Sequence, residues 1–148
     1  MDIRKLSTEF SVSPQIAALD VREIAALGFK SMICNRPDGE AIEQAASAEI
    51  ADQAARCGLE FRLIPVTGCN FSEATVAAFK SAMACLPKPI LGYCRSGTRS
   101  TNLWALAQAA TQSEPELLSL AKSAGYDLSA LSTRLKATNQ THNVVALC

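Results

Sequence analysis

Histidine is nearly missing from this chain: 148 residues include one, His142. A histidine-rich metal centre is therefore excluded. Charge of either sign is not in excess, with 14 basic residues against 14 acidic ones. A broad nucleic-acid surface or a polybasic membrane patch is not expected from that balance. No apolar run approaches the roughly 18 residues of a membrane span, so no spanning helix is expected either. The opening Met1-Asp2-Ile3-Arg4-Lys5 leads into no long apolar segment. A signal peptide is thus not expected, and the cytoplasm is the expected compartment, where thiols stay reduced. The cysteines (34, 57, 69, 85, 94 and 148) contain no C-x-x-C pair and have no histidine beside them. That spacing argues against zinc, and nothing in the chain calls for a cofactor. Aspartate is missing from the whole interval between Asp52 and Asp127, a gap that bears on the reaction.

What is present is ample apolar material, 49% of residues, enough for one domain with a sizeable core. Residues 1–137 read as a single catalytic domain and 138–148 as a loose C-terminal tail. Lys5 to Ser13 reads as one or two edge strands. Asp20-Val21-Arg22-Glu23 has capping-box form and opens a helix ending at Gly28. Phe29 to Cys34 reads as a strand, broken by Asn35-Arg36-Pro37-Asp38-Gly39. An alanine-rich helix is predicted from about Ile42 to Arg56, then a strand from Leu59 to Val66. Thr67-Gly68-Cys69-Asn70 is a turn, and Ser72 caps a predicted helix from Glu73 to Ala84. Ile90 to Tyr93 is a short buried strand, followed after Ser100 by a helix. Ser113-Glu114-Pro115-Glu116 is a second capping box, and Ser129 to Ala137 a last short helix. Strands alternating with helices give an α/β fold, a central mostly parallel sheet flanked by helices. Ligands bind beyond the carboxyl ends of such strands. Three polar loops fall there, at Asn35 to Asp38, Thr67 to Asn70 and Cys94 to Ser100.

The third loop, Cys94-Arg95-Ser96-Gly97-Thr98-Arg99-Ser100, is the restrictive one. It joins a strand to a helix, where free N–H groups and the helix dipole favour an anion. The dipole and two arginines also favour the anionic, nucleophilic form of the Cys94 sulfur. Gly97 lets the loop fold without Cβ strain. Cys94 and Arg99 are the candidate catalytic residues. Arg95, Ser96, Gly97, Thr98 and Ser100 are candidates for anion binding, joined by Asn35, Arg36 and Asp38 from the first loop. Trp104 and Tyr126 read as packing residues.

This loop resembles that of rhodanese sulfurtransferases and, more loosely, that of cysteine-dependent phosphatases. The larger pattern is Ser11-Val12-Ser13-Pro14-Gln15, Ile33-Cys34-Asn35-Arg36-Pro37-Asp38, Pro65-Val66-Thr67 and Tyr93-Cys94 to Ser100. It resembles the phosphatase-like domain family of β-lactamase-hydrolase-like proteins. The resemblance implies a dual-specificity-phosphatase-like fold, sometimes fused to a persulfide dioxygenase, which is therefore an expected partner.

Two reactions compete. Cysteine phosphatases place five residues between nucleophile and arginine, whereas Arg95 to Thr98 makes four. Tyr93 stands where phosphatases usually carry histidine. No aspartate is available in the turn that would supply the proton for a leaving alkoxide; Glu73 or Asp38 are the substitutes. Sulfite expelled from thiosulfate needs no proton. Sequence alone therefore favours sulfur transfer, with Cys94 taking sulfur from a small anionic donor and passing it to a small-thiol acceptor. Hydrolysis of a phosphate ester through phosphocysteine is the alternative. An anion-binding module without turnover and a Cys94 redox sensor also remain.

Overall fold

In the computed structural model, which describes residues 1–147 and side chains through Thr141, five strands form one sheet. They are β1 (Arg4–Lys5), β2 (Phe10–Ser13), β3 (Ser31–Cys34), β4 (Glu60–Leu63) and β5 (Ile90–Tyr93). Their order is β1-β2-β5-β3-β4. Only β1 runs antiparallel, against β2; the other pairs are parallel. The α/β expectation of a mostly parallel sheet holds. One element differs: β2 is not an edge strand but pairs with β5, and all four of its residues are buried.

Among the described residues, six α-helices pack around the sheet: α1 (Asp20–Ala26), α2 (Ser47–Arg56), α3 (Glu73–Cys85), α4 (Thr98–Gln108), α5 (Glu114–Ser123) and α6 (Ser132–Leu147). Alternation along each strand sends side chains to opposite faces. Met32, Cys34, Leu91 and Tyr93 pack with Val21 and Ile24 of α1 and Ile50 and Ala54 of α2. Phe10, Val12, Ile33 and Ile90 pack with Phe79, Leu103, Leu117 and Leu135 from α3 to α6. Phe10 and Phe79 meet edge to face, their centroids 5.6 Å apart. Tyr93 therefore belongs to the core on the α1–α2 side. Burial pushes its hydroxyl titration up, and Cys34 beside it adds to the rise.

Several boundaries depart from the sequence reading. Ser72 and Ser113 cap α3 and α5 as expected, accepting from the N–H groups of Thr75 and Glu116. At α1 there is no capping box: Asp20 is already helical, and its carboxylate accepts from the Ala17 N–H at 2.8 Å. The second helix starts at Ser47 and not Ile42. Gln44 accepts from the Glu40 N–H and donates to the Pro37 carbonyl, closing a loop that competes with helix. Asp38 then fixes the start, one carboxylate oxygen on the Ser47 N–H (2.7 Å) and the other on its hydroxyl (2.6 Å). At the other end, where a loose tail is expected, α6 runs to Leu147. No glycine or proline follows Gly125 to stop it, and Asn139 donates to the carbonyls of Ala109 and Gln112. The side chain of His142 and all of Cys148 lie outside the described residues.

Candidate active site

Parallel strands deliver their following loops to one edge, and here four loops meet there. The loop after β5 is locked to its neighbours: Asn35 N–H donates to the Tyr93 carbonyl (2.8 Å), and Gln15 N–H to the Arg95 carbonyl (3.2 Å). Cys94 follows β5 directly and is fully buried. The chain reverses at Gly97, whose φ of 93° is left-handed, and enters α4 at Thr98. The helix begins earlier than its composition suggests, so Arg99 and Ser100 lie in its first turn. The first N–H groups of a helix have no carbonyl partner within it, and its positive dipole end falls on this loop. Gly97 N–H donates to Cys94 Sγ at 3.1 Å.

The loop is braced from behind. Tyr126, on the turn between α5 and α6, donates its hydroxyl to the Ser96 carbonyl at 3.0 Å. A Cβ on Gly97 would collide with that hydroxyl. Arg4 stacks over the Tyr126 ring, 5.2 Å from its centroid. Ser100, fully buried, donates to Asn35 Oδ1 at 2.8 Å, and Asn35 Nδ2 donates to the Ile64 carbonyl at 2.8 Å. Asn35 thus ties the ends of β3 and β4 to the first turn of α4.

Arg99 reaches across the edge of the sheet. Its Nη1 donates to Glu40 Oε2 and to the Val66 carbonyl, both at 2.7 Å, and its Nη2 to Glu40 Oε1 at 2.9 Å. The Cys94 sulfur lies within electrostatic reach of the same guanidinium, whose titration is raised first by Glu40 and also by Cys94. Arg36, nearly buried, donates its Nε to the shared Glu40 Oε1 at 2.9 Å and its Nη1 to Gln15 Oε1 at 3.1 Å. Glu40 is therefore clamped between two arginines. The Arg99 bond, with Arg36 behind it and burial opposing, holds its carboxyl down at about 2.

The residues expected from sequence separate into three groups. Cys94, Gly97, Arg99 and Ser100 come together with Asn35 and Arg36 behind them. Arg95, Ser96 and Thr98 are exposed on the rim. The Ser96 hydroxyl donates to Thr98 Oγ1 at 2.9 Å, and Arg95 makes no ion pair among the described residues. Asp38 is engaged elsewhere, at the start of α2, where the Ser47 hydrogen bonds hold its carboxyl below the ordinary range. Glu73 sits in the first turn of α3. Glu40 was not singled out by sequence, while Gln15 stood only at the end of a matching pattern and Tyr126 was read as a packing residue. Glu40 closes a polar run that starts at Asn35, which is the one local signal for it. Nothing local marks Gln15 or Tyr126 as partners of the Cys94 loop.

Similar proteins place the chain in a family and share its fold. The family model for the phosphatase-like domain of β-lactamase hydrolase-like proteins matches residues 2–111. A β-lactamase hydrolase-like protein of Agrobacterium fabrum is 30% identical over 128 residues, covering 85% of this chain and 30% of that protein. The chain thus spans about a third of the length of such relatives. A crystal structure of a candidate phosphatase from Neisseria meningitidis superposes with a TM-score of 0.83 at 35% identity, covering 93% of this chain and 99% of that one. The fold also matches PTPMT1 in complex with PI(5)P, with a TM-score of 0.73 at 13% identity over 99% of both chains. The chain belongs to the family of phosphatase-like domains of β-lactamase hydrolase-like proteins.

Proposed function

We propose that residues 1–137 hydrolyse phosphate esters in the cytoplasm through a phosphocysteine on Cys94. One observation carries this reading. Arg99, separated from the loop's cysteine by four residues and in reach of its sulfur, already grips an oxyanion, the Glu40 carboxylate, with both terminal nitrogens. The short spacing thus leaves the arginine able to present a fork to anionic oxygens, which is what phosphoryl transfer asks of it. In the reaction, Cys94 Sγ attacks phosphorus in line. The P–S bond forms as the P–O bond to the leaving group breaks. Arg99 and the N–H groups at the start of α4 neutralise the equatorial oxygens. Water then attacks the phosphocysteine, releasing inorganic phosphate and restoring the thiolate.

Phosphatases among the structural neighbours support this choice of reaction over sulfur transfer. The four-residue spacing between Cys94 and Arg99 is what still favours a sulfurtransferase, with an anionic sulfur donor, a small-thiol acceptor and a persulfide dioxygenase downstream. One comparison decides. Rapid quenching with an aryl phosphate should trap phosphate on Cys94 in the wild type and none in Cys94→Ser. Arg99→Lys, which loses the fork, should lower turnover roughly 10²–10³-fold. A Cys94 persulfide from thiosulfate, with no phosphocysteine from any aryl phosphate, would reverse the assignment.

A further inference from the structure

A phosphatase of this kind needs a proton donor for its leaving group, and the turn that would supply one has no carboxylate. Residues 67–70 are Thr, Gly, Cys and Asn. Asp38 is spent on the start of α2, and Glu73, in the first turn of α3, makes no hydrogen bond or ion pair with Arg99 or the loop among the described residues. Glu40 is the one carboxylate, among the described residues, bonded to a side chain of the Cys94 loop and its helix. We propose that Glu40 yields Arg99 to the incoming phosphate and then protonates the oxygen that leaves. The proposal rests on the phosphatase reading.

The geometry supplies each part. Both Glu40 oxygens occupy the terminal nitrogens of Arg99 that a phosphate would need. Substrate and Glu40 therefore compete for one guanidinium, and binding must move the carboxylate. It cannot move far. Oε1 is also held by Nε of Arg36, which is itself nearly buried and anchored on Gln15. Released from Arg99, Glu40 stays tethered beside the phosphate's outer face. The groups facing it are Arg99 from α4, Arg36 from its own loop and the Cys94 sulfur beyond; Asp38, two residues away, is turned to Ser47. Losing Arg99 and gaining a dianion as neighbour both raise the carboxylate's affinity for a proton. With the two arginines in place Glu40 is ionised, so the proton is taken up only in the complex. The proton passes from Glu40 to the leaving oxygen as the P–O bond breaks. In the second step the Glu40 carboxylate takes a proton from the water that attacks phosphocysteine, which closes the cycle.

The test uses the full chain and two substrates, phenyl phosphate with a poor leaving group and p-nitrophenyl phosphate with a better one. Single-turnover formation of phosphocysteine is measured for the wild type, Glu40→Gln and Glu40→Asp. Expected for Glu40→Gln is a loss of about a hundredfold or more with phenyl phosphate and a clearly smaller loss with the nitrophenyl ester. Inorganic phosphate, as a competitive ligand, should bind Glu40→Gln several-fold more tightly, because its internal competitor is gone. Glu40→Asp, which keeps an acid at a shorter reach, should recover part of the phenyl phosphate rate. Equal changes with both substrates would overturn the acid, and unchanged phosphate affinity would overturn the exchange at Arg99. Absence of phosphocysteine in the wild type would instead strike the phosphatase reading itself, so the two failures are distinguishable.

Discussion

Replacing Gly97 with alanine tests whether the loop's shape is set by the backbone alone or also by Tyr126. Two costs add. A φ of 93° is left-handed, and an L-residue there costs about 1–2 kcal/mol. The new methyl would also meet the Tyr126 hydroxyl and the ring carbon that bears it. Overpacking of that kind costs about 1–3 kcal/mol. The sum, roughly 2–5 kcal/mol, should lower the melting temperature by about 4–20 °C in a chain of this size. Gly28 provides the control. Its φ is 100°, and a Cβ there meets nothing within 4 Å. Gly28→Ala should therefore show the backbone cost alone.

The hydroxyl's share is isolated with Tyr126→Phe. By itself this change loses the bond to the Ser96 carbonyl, worth about 1 kcal/mol. In the double variant the collision is eased, so urea unfolding should show less destabilisation than the two single changes summed. Sites that do not interact add to within about 0.5 kcal/mol. Additivity within that limit, or a Gly97→Ala cost no greater than that of Gly28→Ala, would refute the bracing role of Tyr126.

Two further outcomes follow from the site's buried ties. Ser100→Ala removes the one side-chain donor to Asn35 Oδ1 among the described residues, a fully buried oxygen, and should cost about 1–3 kcal/mol by urea midpoint with an unchanged slope; a shift under about 0.5 kcal/mol would show that the tie is dispensable. Glu40 titrates lower folded, at about 2, than its ordinary 4.5. A depressed carboxyl contributes stability that is fully present above pH 4.5 and is lost as pH falls toward 2. The side chain is about a quarter exposed, so screening reduces that contribution to ~1 kcal/mol. Glu40→Gln should therefore lose less stability than the wild type between pH 4.5 and 2, and parallel acid curves would contradict this.

Much of this site was legible because its signals are local. Ile90 to Tyr93, Gly97 and the helix former after it mark a strand, a turn and a helix within a dozen residues. The capping serines Ser72 and Ser113 are likewise read from their next three positions. Helix starts were misplaced where a side chain from outside the segment decides them. Asp38 sets the start of α2 from nine residues upstream, and Gln44 holds its neighbours in a loop. The decisive contacts of the site are longer still. Arg99 meets Glu40 from 59 residues away, and Tyr126 meets Ser96 across 30. No periodicity encodes either.

The gap in aspartates shows why local reading tipped the reaction toward sulfur transfer. A missing acid after β4 looks decisive only if the acid must come from that turn. In a parallel sheet the loops after β2, β3, β4 and β5 all open on one edge, so any of them can place a carboxylate before the same sulfur. Here the turn after β4 contributes the Val66 carbonyl to Arg99, and the loop after β3 contributes Glu40 to the same guanidinium. The absence of a residue from one loop is therefore weak evidence about a reaction, whereas two loops converging on one arginine beside a buried cysteine is strong evidence about where to test it.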